Sequence, residues 1–164
     1  MKENFITGFS ASNFTLQRNL KGISDSDSVI QPKIKGNCIN WNAGHILVVR
    51  DQMLTMLDGT TFLSEMETSY YASGSKPIGK NSNRISIEKI NQGLKRTFDS
   101  LIKKLSGVDE AFLNSPIPRD GLPVPIEDPT MGKLFSILLY HEGYHTGQIG
   151  LGRRLIGKEF DYEL

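Results

Sequence analysis

Leu139-Tyr-His-Glu-Gly-Tyr-His-Thr-Gly-Gln-Ile149 is the stretch on which the interpretation of this chain depends. It carries His141 and His145, two of the three histidines in the sequence, at a spacing of about one α-helical turn. Both imidazoles would leave the same helix face, roughly 5–6 Å apart at Cβ. That separation allows two ring nitrogens to reach one metal ion at about 2.0–2.1 Å. A pair of histidines on a solvent-facing helix has the same spacing, so the pair alone is a weak indication of metal binding.

The third histidine, His45, lies in another predicted helix, within Asn40-Trp-Asn-Ala-Gly-His-Ile-Leu-Val-Val-Arg-Asp51. Asn42, His45 and Val49 follow a 3-4 repeat, which predicts that His45 faces the interior. If the two helices pack side by side, the three imidazoles can form a three-nitrogen metal site. The alternative is that the histidines are hydrogen-bonded core residues. The use of every histidine in these two helices favours the metal site.

Three neutral imidazoles without an obvious carboxylate ligand favour Zn²⁺, Ni²⁺ or a similar first-row ion over Mg²⁺ or Ca²⁺. Three protein ligands leave at least one position open, as in catalytic zinc sites. Two chemistries fit, namely hydrolysis by a metal-bound hydroxide and transfer of a metal-activated thiolate. Gln148 shares the histidine face and is expected to orient a ligand or substrate. Glu142 points about 100° away from that face and is not expected to act as a general base.

Composition and charge indicate which classes of protein this sequence can encode. The chain has 164 residues, of which 38% are hydrophobic and 23% charged, and we expect residues 1–164 to form a single domain. A formal net charge of +1, without a Lys/Arg stripe, argues against nucleic-acid binding. The single cysteine, Cys38, excludes an intramolecular disulfide and is expected to pack as a small hydrophobe. The absence of a signal-peptide run and of an apolar stretch of roughly 18 residues predicts a cytoplasmic protein that binds no membrane.

Apolar periodicity predicts two long helices in the first part of the chain. The first covers about 4–23 and is stopped by the polar stretch Ser24-Asp-Ser-Asp-Ser28. The second covers about 39–57, and its Arg50-Asp51 pair is expected to tie it to a neighbour by a salt bridge. A long connection follows from about 59 to 84, with a possible short helix around 61–70. A connection this long is expected to cover a site or to cross the domain.

Two more long helices are predicted in the second part. Ser86 is expected to cap the third, whose apolar stripe runs to Leu105 and whose end is marked by Gly107. The four prolines between about 108 and 127 predict that no helix persists there, and an Arg119-Asp120-Gly121 turn is possible. The fourth helix should have Asp128 as its N-cap and Pro129 at its first position, and should end near Ile156.

These elements predict an all-α protein, a four-helix bundle with at least one crossover and long loops between helices 2 and 3 and between helices 3 and 4. Gly143, Gly147 and Gly150 share one face of the fourth helix. Their small size predicts close approach of another helix or of another subunit at that face, which makes a homodimer an expectation.

The same motifs resemble those of the DinB-like superfamily of small three-histidine proteins. Asn40-Trp-Asn-Ala-Gly-His45, followed by Arg50-Asp51, resembles the family's "G-H" segment in helix 2. His141-Glu-Gly-Tyr-His-Thr-Gly-Gln-Ile149 resembles its closing H-x-x-x-H-x-G-Q-I helix and is the more specific of the two. The order of helices, polar break, long connection and proline-rich loop also matches almost end to end.

The resemblance implies a four-helix bundle, often homodimeric, with a divalent metal held at His45, His141 and His145. It further implies a small-molecule substrate, because some relatives transfer a low-molecular-weight thiol such as bacillithiol to electrophiles. A related branch isomerises maleylpyruvate with mycothiol. The family name does not imply DNA binding. A thiol transferase, a metal-dependent hydrolase and a non-catalytic metal-binding or ligand-binding dimer remain the alternatives.

Overall fold

The computed structural model describes residues 1–33, 36–120, 122 and 124–159, and these residues form seven helices and no strand. In chain order the helices are α1 (Lys2–Leu20), α2 (Asp25–Ser28), α3 (Ile39–Met56), α4 (Glu65–Tyr71), α5 (Ile87–Gly107), α6 (Glu110–Asn114) and α7 (Met131–Leu155). Within the described ranges, every helix is too short or too polar to cross a membrane. The prediction of an all-α protein is confirmed.

The helices α3 and α5 lie side by side and run in the same direction. Near their starts, the side chain of Asn40 donates to the carbonyl of Ile85 at 3.1 Å. Further along both, Arg50 donates to the carbonyl of Leu94 at 2.8 Å. Since the two helices are parallel, the connection over 57–86 must return the chain along the bundle, and it carries the short α4. This is the predicted crossover.

The helices α1 and α7 form the second parallel pair of the bundle. Gly8 packs so closely on Leu139 that a Cβ at position 8 would lie 2.4 Å from its side chain. Further along both helices, Asn19 donates to the carbonyl of Thr146 at 2.8 Å. The pair runs opposite to α3 and α5, and α7 packs directly on α3. This packing brings the two histidine-bearing helices together.

The core consists of two clusters of buried side chains, one in each half of the bundle. The cluster beside the histidines includes Trp41, Leu47, Tyr71 and Ile90, whereas the other includes Phe9, Met53, Leu105 and Phe135. Fully burying a large apolar side chain stabilises the fold by roughly 1.5–3 kcal/mol.

The start of α7 differs from the prediction. Thr130, not Asp128, is the N-cap, and its side chain accepts a hydrogen bond from the backbone of Lys133. Asp128 adopts a left-handed conformation with φ of 45°. The carbonyl of Pro129 accepts from the backbone of Ile117 at 3.0 Å, as part of an extended bridge between the two segments. This pairing keeps Pro129 and Thr130 extended, so the helix begins at Met131.

Two stretches that were predicted to be irregular form short helices. Ser24 and Asp27 form a capping box that starts α2 within the polar stretch expected to be a break. In the region expected to contain no helix, Asp109 caps α6, which ends before Pro116. The possible turn at Arg119-Asp120-Gly121 includes Gly121, which lies outside the described residues.

Candidate metal centre

The three histidines predicted to form one site lie together between α3 and α7. Nε2 of His141 is 3.3 Å from Nε2 of His45 and 3.2 Å from Nε2 of His145. Possible ligand atoms of all three lie within 4.8 Å of one another. A three-histidine group with this spacing could bind a divalent metal.

The spacing of the nitrogens fits a metal ion. An ion bonded to imidazole nitrogens at about 2.0–2.1 Å in tetrahedral geometry would place those nitrogens roughly 3.3–3.4 Å apart. The two measured Nε2 separations of 3.2 and 3.3 Å are close to that value. The donors are therefore already near the distances that coordination requires.

Hydrogen bonds on the outer side of the cluster determine the tautomers of two rings. Nδ1 of His45 lies 2.6 Å from the carbonyl oxygen of Tyr71, and Nδ1 of His145 lies 2.8 Å from Oδ1 of Asn42. The amide of Asn42 is oriented by its Nδ2, which donates to the carbonyls of Asn37 and Cys38. Both partners of the histidines are thus acceptors, so each Nδ1 carries the hydrogen. The Nε2 atoms of His45 and His145 consequently present lone pairs to the centre.

The third ring cannot satisfy both of those lone pairs. His141 has a buried Nδ1 without a hydrogen-bond partner among the described residues, and its Nε2 faces the other two histidines. One Nε2–H can donate to His45 or to His145 but not to both, so His141 satisfies at most one of the two lone pairs. A cation held by the three histidines would remove this mismatch.

Burial keeps the cluster neutral. Desolvation lowers the pKa of His45 and of His141 below the ordinary histidine value. Desolvation, together with the neighbouring His141 and His45, lowers the pKa of His145 to about 4. Metal binding requires the neutral imidazole, so near neutral pH protons do not compete for these nitrogens.

Comparison with known proteins agrees with the fold and the motifs. A family model described as the DinB superfamily matches residues 13–149, a range that contains all three histidines. The chain belongs to the DinB superfamily. A crystal structure of a conserved protein from Enterococcus faecalis superposes with a TM-score of 0.70 at 14% identity, covering 97% of this chain and 98% of that one. At this identity the likeness shows the fold alone. No curated protein matches the sequence.

The Gly44-His45 motif of this DinB-superfamily chain has a structural explanation. A Cβ at position 44 would lie 2.3 Å from the ring of Tyr71, so only glycine allows that ring to pack on α3. The Tyr71 hydroxyl donates to Oδ1 of Asn40 at 3.0 Å, and the main-chain carbonyl of Tyr71 accepts from Nδ1 of His45. Gly44 therefore makes room for the residue that orients His45.

Two residues that orient the histidines, Asn42 and Tyr71, were not predicted from the sequence. Asn42 lies on the His45 face, one turn earlier, so a hydrogen-bonding side chain next to His45 was an available signal. Tyr71 contributes its main-chain carbonyl from the end of α4. No side-chain pattern could have indicated that contact.

Aromatic rings border the centre. Trp41, the only tryptophan of the chain, stacks on His45 with ring centroids 4.7 Å apart and an interplanar angle of 14°. The exposed Tyr144 ring packs edge-on to His145, with ring centroids 5.1 Å apart. Gln148 donates to the Tyr144 hydroxyl at 3.1 Å. His141 is half-buried, so solvent reaches the cluster from the His141 and Tyr144 side.

Arg50, Asp51 and Cys38, which the sequence also drew attention to, form contacts outside the histidine cluster. Arg50 forms the expected salt bridge, and its partner is Glu142 at 2.8 Å. Asp51 instead accepts from the backbone N–H groups of Phe62 and Leu63 at the start of the crossover connection. The buried thiol of Cys38 donates to a backbone carbonyl, and the cysteine is not part of the histidine group.

Proposed function

We propose that this DinB-superfamily protein is a divalent-metal-dependent enzyme whose His45, His141 and His145 hold Zn²⁺ or Ni²⁺. Its proposed reaction is the transfer of a low-molecular-weight thiol, such as bacillithiol, to an electrophilic small molecule. The bound ion would lower the pKa of a coordinated thiol and so supply the nucleophile.

The orientation of the rings is the observation that supports the proposal most strongly. Two of three imidazoles are held with their N–H groups pointing outward and their lone pairs pointing inward. Purely structural histidines would be expected to satisfy both ring nitrogens by hydrogen bonds. The protein instead orients two acceptors toward one point, as metal ligands require.

The surroundings of the cluster favour a substrate that brings its own nucleophile. Three protein ligands leave a position open for an exogenous group. Glu142, the acidic residue next to His141, is bound to Arg50 and is unavailable as a general base for water. On the open side, Tyr144 and Gln148 would contact a small molecule that approaches His141.

Metal binding is tested by elemental analysis of untagged protein, comparing the wild type with His45→Ala and His145→Ala. We expect about one ion per chain in the wild type and little in either variant. Cys38→Ala is the matched control, because Cys38 is buried at the N-cap of α3 and its thiol donates to a backbone carbonyl rather than to the histidines. A wild-type protein that stays free of metal after incubation with Zn²⁺ or Ni²⁺ would refute the proposal.

Activity is tested with bacillithiol and monochlorobimane as the electrophile. In this reaction the thiolate sulfur forms a C–S bond, chloride leaves with the C–Cl electron pair, and the thiol proton passes to solvent. We expect metal-dependent product that is lost in His141→Ala. Ester hydrolysis without added thiol, abolished by a chelator, would favour the hydrolase instead. Thiol transfer unaffected by His141→Ala would refute a role of the site.

We also propose that the protein forms a homodimer through α7. Gly143 and Gly147 have open space in front of them, whereas Gly150 contacts Asn19 of α1. The side chains of Tyr140 and Leu151, on the same exposed side as Gly143 and Gly147, are 76% and 45% accessible. Sedimentation equilibrium of wild type and Gly147→Glu tests this, and a monomeric wild type would exclude it.

A further inference from the structure

Arg50 is a charged residue with no exposed surface in the interior of the bundle. Its guanidinium contacts each of the other three long helices. Nη1 donates to the carbonyl of Leu94 in α5 at 2.8 Å, and Nη2 donates to Oδ1 of Asn13 in α1 at 3.1 Å. Nε and Nη2 donate to Glu142 in α7. One side chain of α3 thus ties its own helix to the other three long helices.

The partner in α7 is adjacent to a metal-ligand candidate. Glu142 follows His141 in sequence and accepts from Arg50 through both carboxylate oxygens, at 2.9 and 2.8 Å. The two side chains are 0% and 3% exposed. A bidentate pair of this kind has a defined geometry as well as a favourable energy.

Stability alone is a poor explanation for this pair. Removing two charges from water is costly, and well-packed apolar residues often replace a buried ion pair without loss of stability. A buried pair can instead select one relative position of the elements that carry it. Here those elements are α3, which carries His45, and α7, which carries His141 and His145.

The geometry indicates how strongly the histidine cluster depends on the position of α3 along α7. Arg50 is five residues from His45, roughly 7.5 Å along α3, so the pair lies less than two turns from the cluster. A slip of α3 by one residue would move His45 by roughly 1.5 Å along α7. The Nε2 separations are only 3.2–3.3 Å, so such a slip would take His45 out of reach of a shared ion.

We infer that Arg50 and Glu142 are a positioning pair that sets the register of α3 against α7 and thereby the geometry of the three-histidine centre. This inference rests on the proposed metal binding. It assigns the pair a role in metal affinity and coordination, beyond its contribution to folding.

The test is titration of metal-free protein with Co²⁺, whose visible absorption distinguishes tetrahedral from octahedral coordination. The variant is Arg50→Met/Glu142→Leu, which removes both charges together and leaves no unpaired ion in the core. The control is Leu105→Ala, because Leu105 is fully buried in the cluster away from the histidines and its truncation destabilises without touching α3–α7 register. Arg50→Lys is a milder second variant, which keeps the charge but loses the fork that contacts three helices.

We expect the double variant to bind Co²⁺ roughly 10–100-fold more weakly and with a changed visible spectrum. Arg50→Lys should show a smaller change in the same direction, and Leu105→Ala should keep the wild-type affinity and spectrum. Wild-type behaviour of both Arg50 variants would overturn the positioning role and leave metal binding intact. Absence of Co²⁺ binding in wild type would overturn the proposed function itself.

Discussion

Replacing Gly44 by alanine tests how the protein orients His45. The new Cβ would lie 2.3, 2.4 and 2.7 Å from three ring atoms of Tyr71, far inside van der Waals contact. The ring is buried between α3 and the crossover connection and cannot turn outward without breaking its hydroxyl bonds to Asn40 and Ile85. The tyrosine must therefore shift as a whole, and its carbonyl must leave His45.

The expected size of the effect follows from three contributions. Overpacking a core site costs about 1–3 kcal/mol, and a weakened buried hydrogen bond costs about 1 kcal/mol. Alanine in place of glycine within a helix stabilises the folded state by about 1 kcal/mol. The net loss of about 1–3 kcal/mol should lower the melting temperature of the metal-free protein by roughly 2–12 °C. Loss of the residue that orients a ligand should also weaken metal binding roughly 10–100-fold.

Circular dichroism melting and quenching of Trp41 fluorescence by Ni²⁺ measure the two effects separately. Trp41 stacks on His45 and is the only tryptophan, so its emission reports on the site. Gly107→Ala is the matched control, because Gly107 is helical and has nothing within 4 Å of its Cβ position. The control should be neutral or slightly stabilising. A Gly44→Ala protein with wild-type melting and wild-type Ni²⁺ affinity would refute the role of Tyr71.

Three further substitutions probe the site and its supports. Asn42→Ala removes the acceptor for His145, so Ni²⁺ titration should show roughly 10–100-fold weaker binding; unchanged affinity would mean that the ring needs no support. In the metal-free protein the pKa of His145 is lowered from 6.5 to about 4, so the unfolded state takes up a proton first on acidification. The contribution of His145 to stability should be full above pH 6.5 and fall as the pH drops toward 4. His145→Gln should therefore reduce the difference between the free energies of urea unfolding at pH 7 and pH 5. An equal difference in wild type and variant would contradict this. Asp51→Asn weakens charge-assisted hydrogen bonds to two backbone N–H groups of the crossover connection. It should lower the free energy of unfolding by about 1–3 kcal/mol in thermal melts and leave Ni²⁺ affinity intact. Weaker Ni²⁺ binding would contradict the expectation that Asp51 supports the fold and not the histidine cluster.

The periodicity of the sequence was sufficient to predict the four long helices and the shared face of His141 and His145, because both depend only on helical spacing. The arrival of His45 at the same point also required that α3 pack on α7, which was a condition of that prediction. The start of α7 was predicted wrongly, since Asp128 and Pro129 have the local pattern of a helix start. Their backbone instead pairs with a segment near Ile117, a contact that local propensity does not contain. The orientation of His45 by a main-chain carbonyl was beyond prediction for the same reason.

The location of the histidines on α3 and α7 has a consequence for when the chain could acquire the proposed metal ion. His141 and His145 are four positions apart, whereas His45 is 96 positions from His141. Closing a flexible loop of that length costs roughly 4 kcal/mol of chain entropy, so the unfolded polypeptide offers an ion little more than a two-histidine helix segment. A nascent chain that has emerged only as far as α5 holds one of the three ligands. If the cluster binds Zn²⁺ or Ni²⁺ as proposed, selection between the two ions would wait until synthesis has passed α7 and the bundle has closed. The ion taken up would then reflect the metal pool around the folded protein.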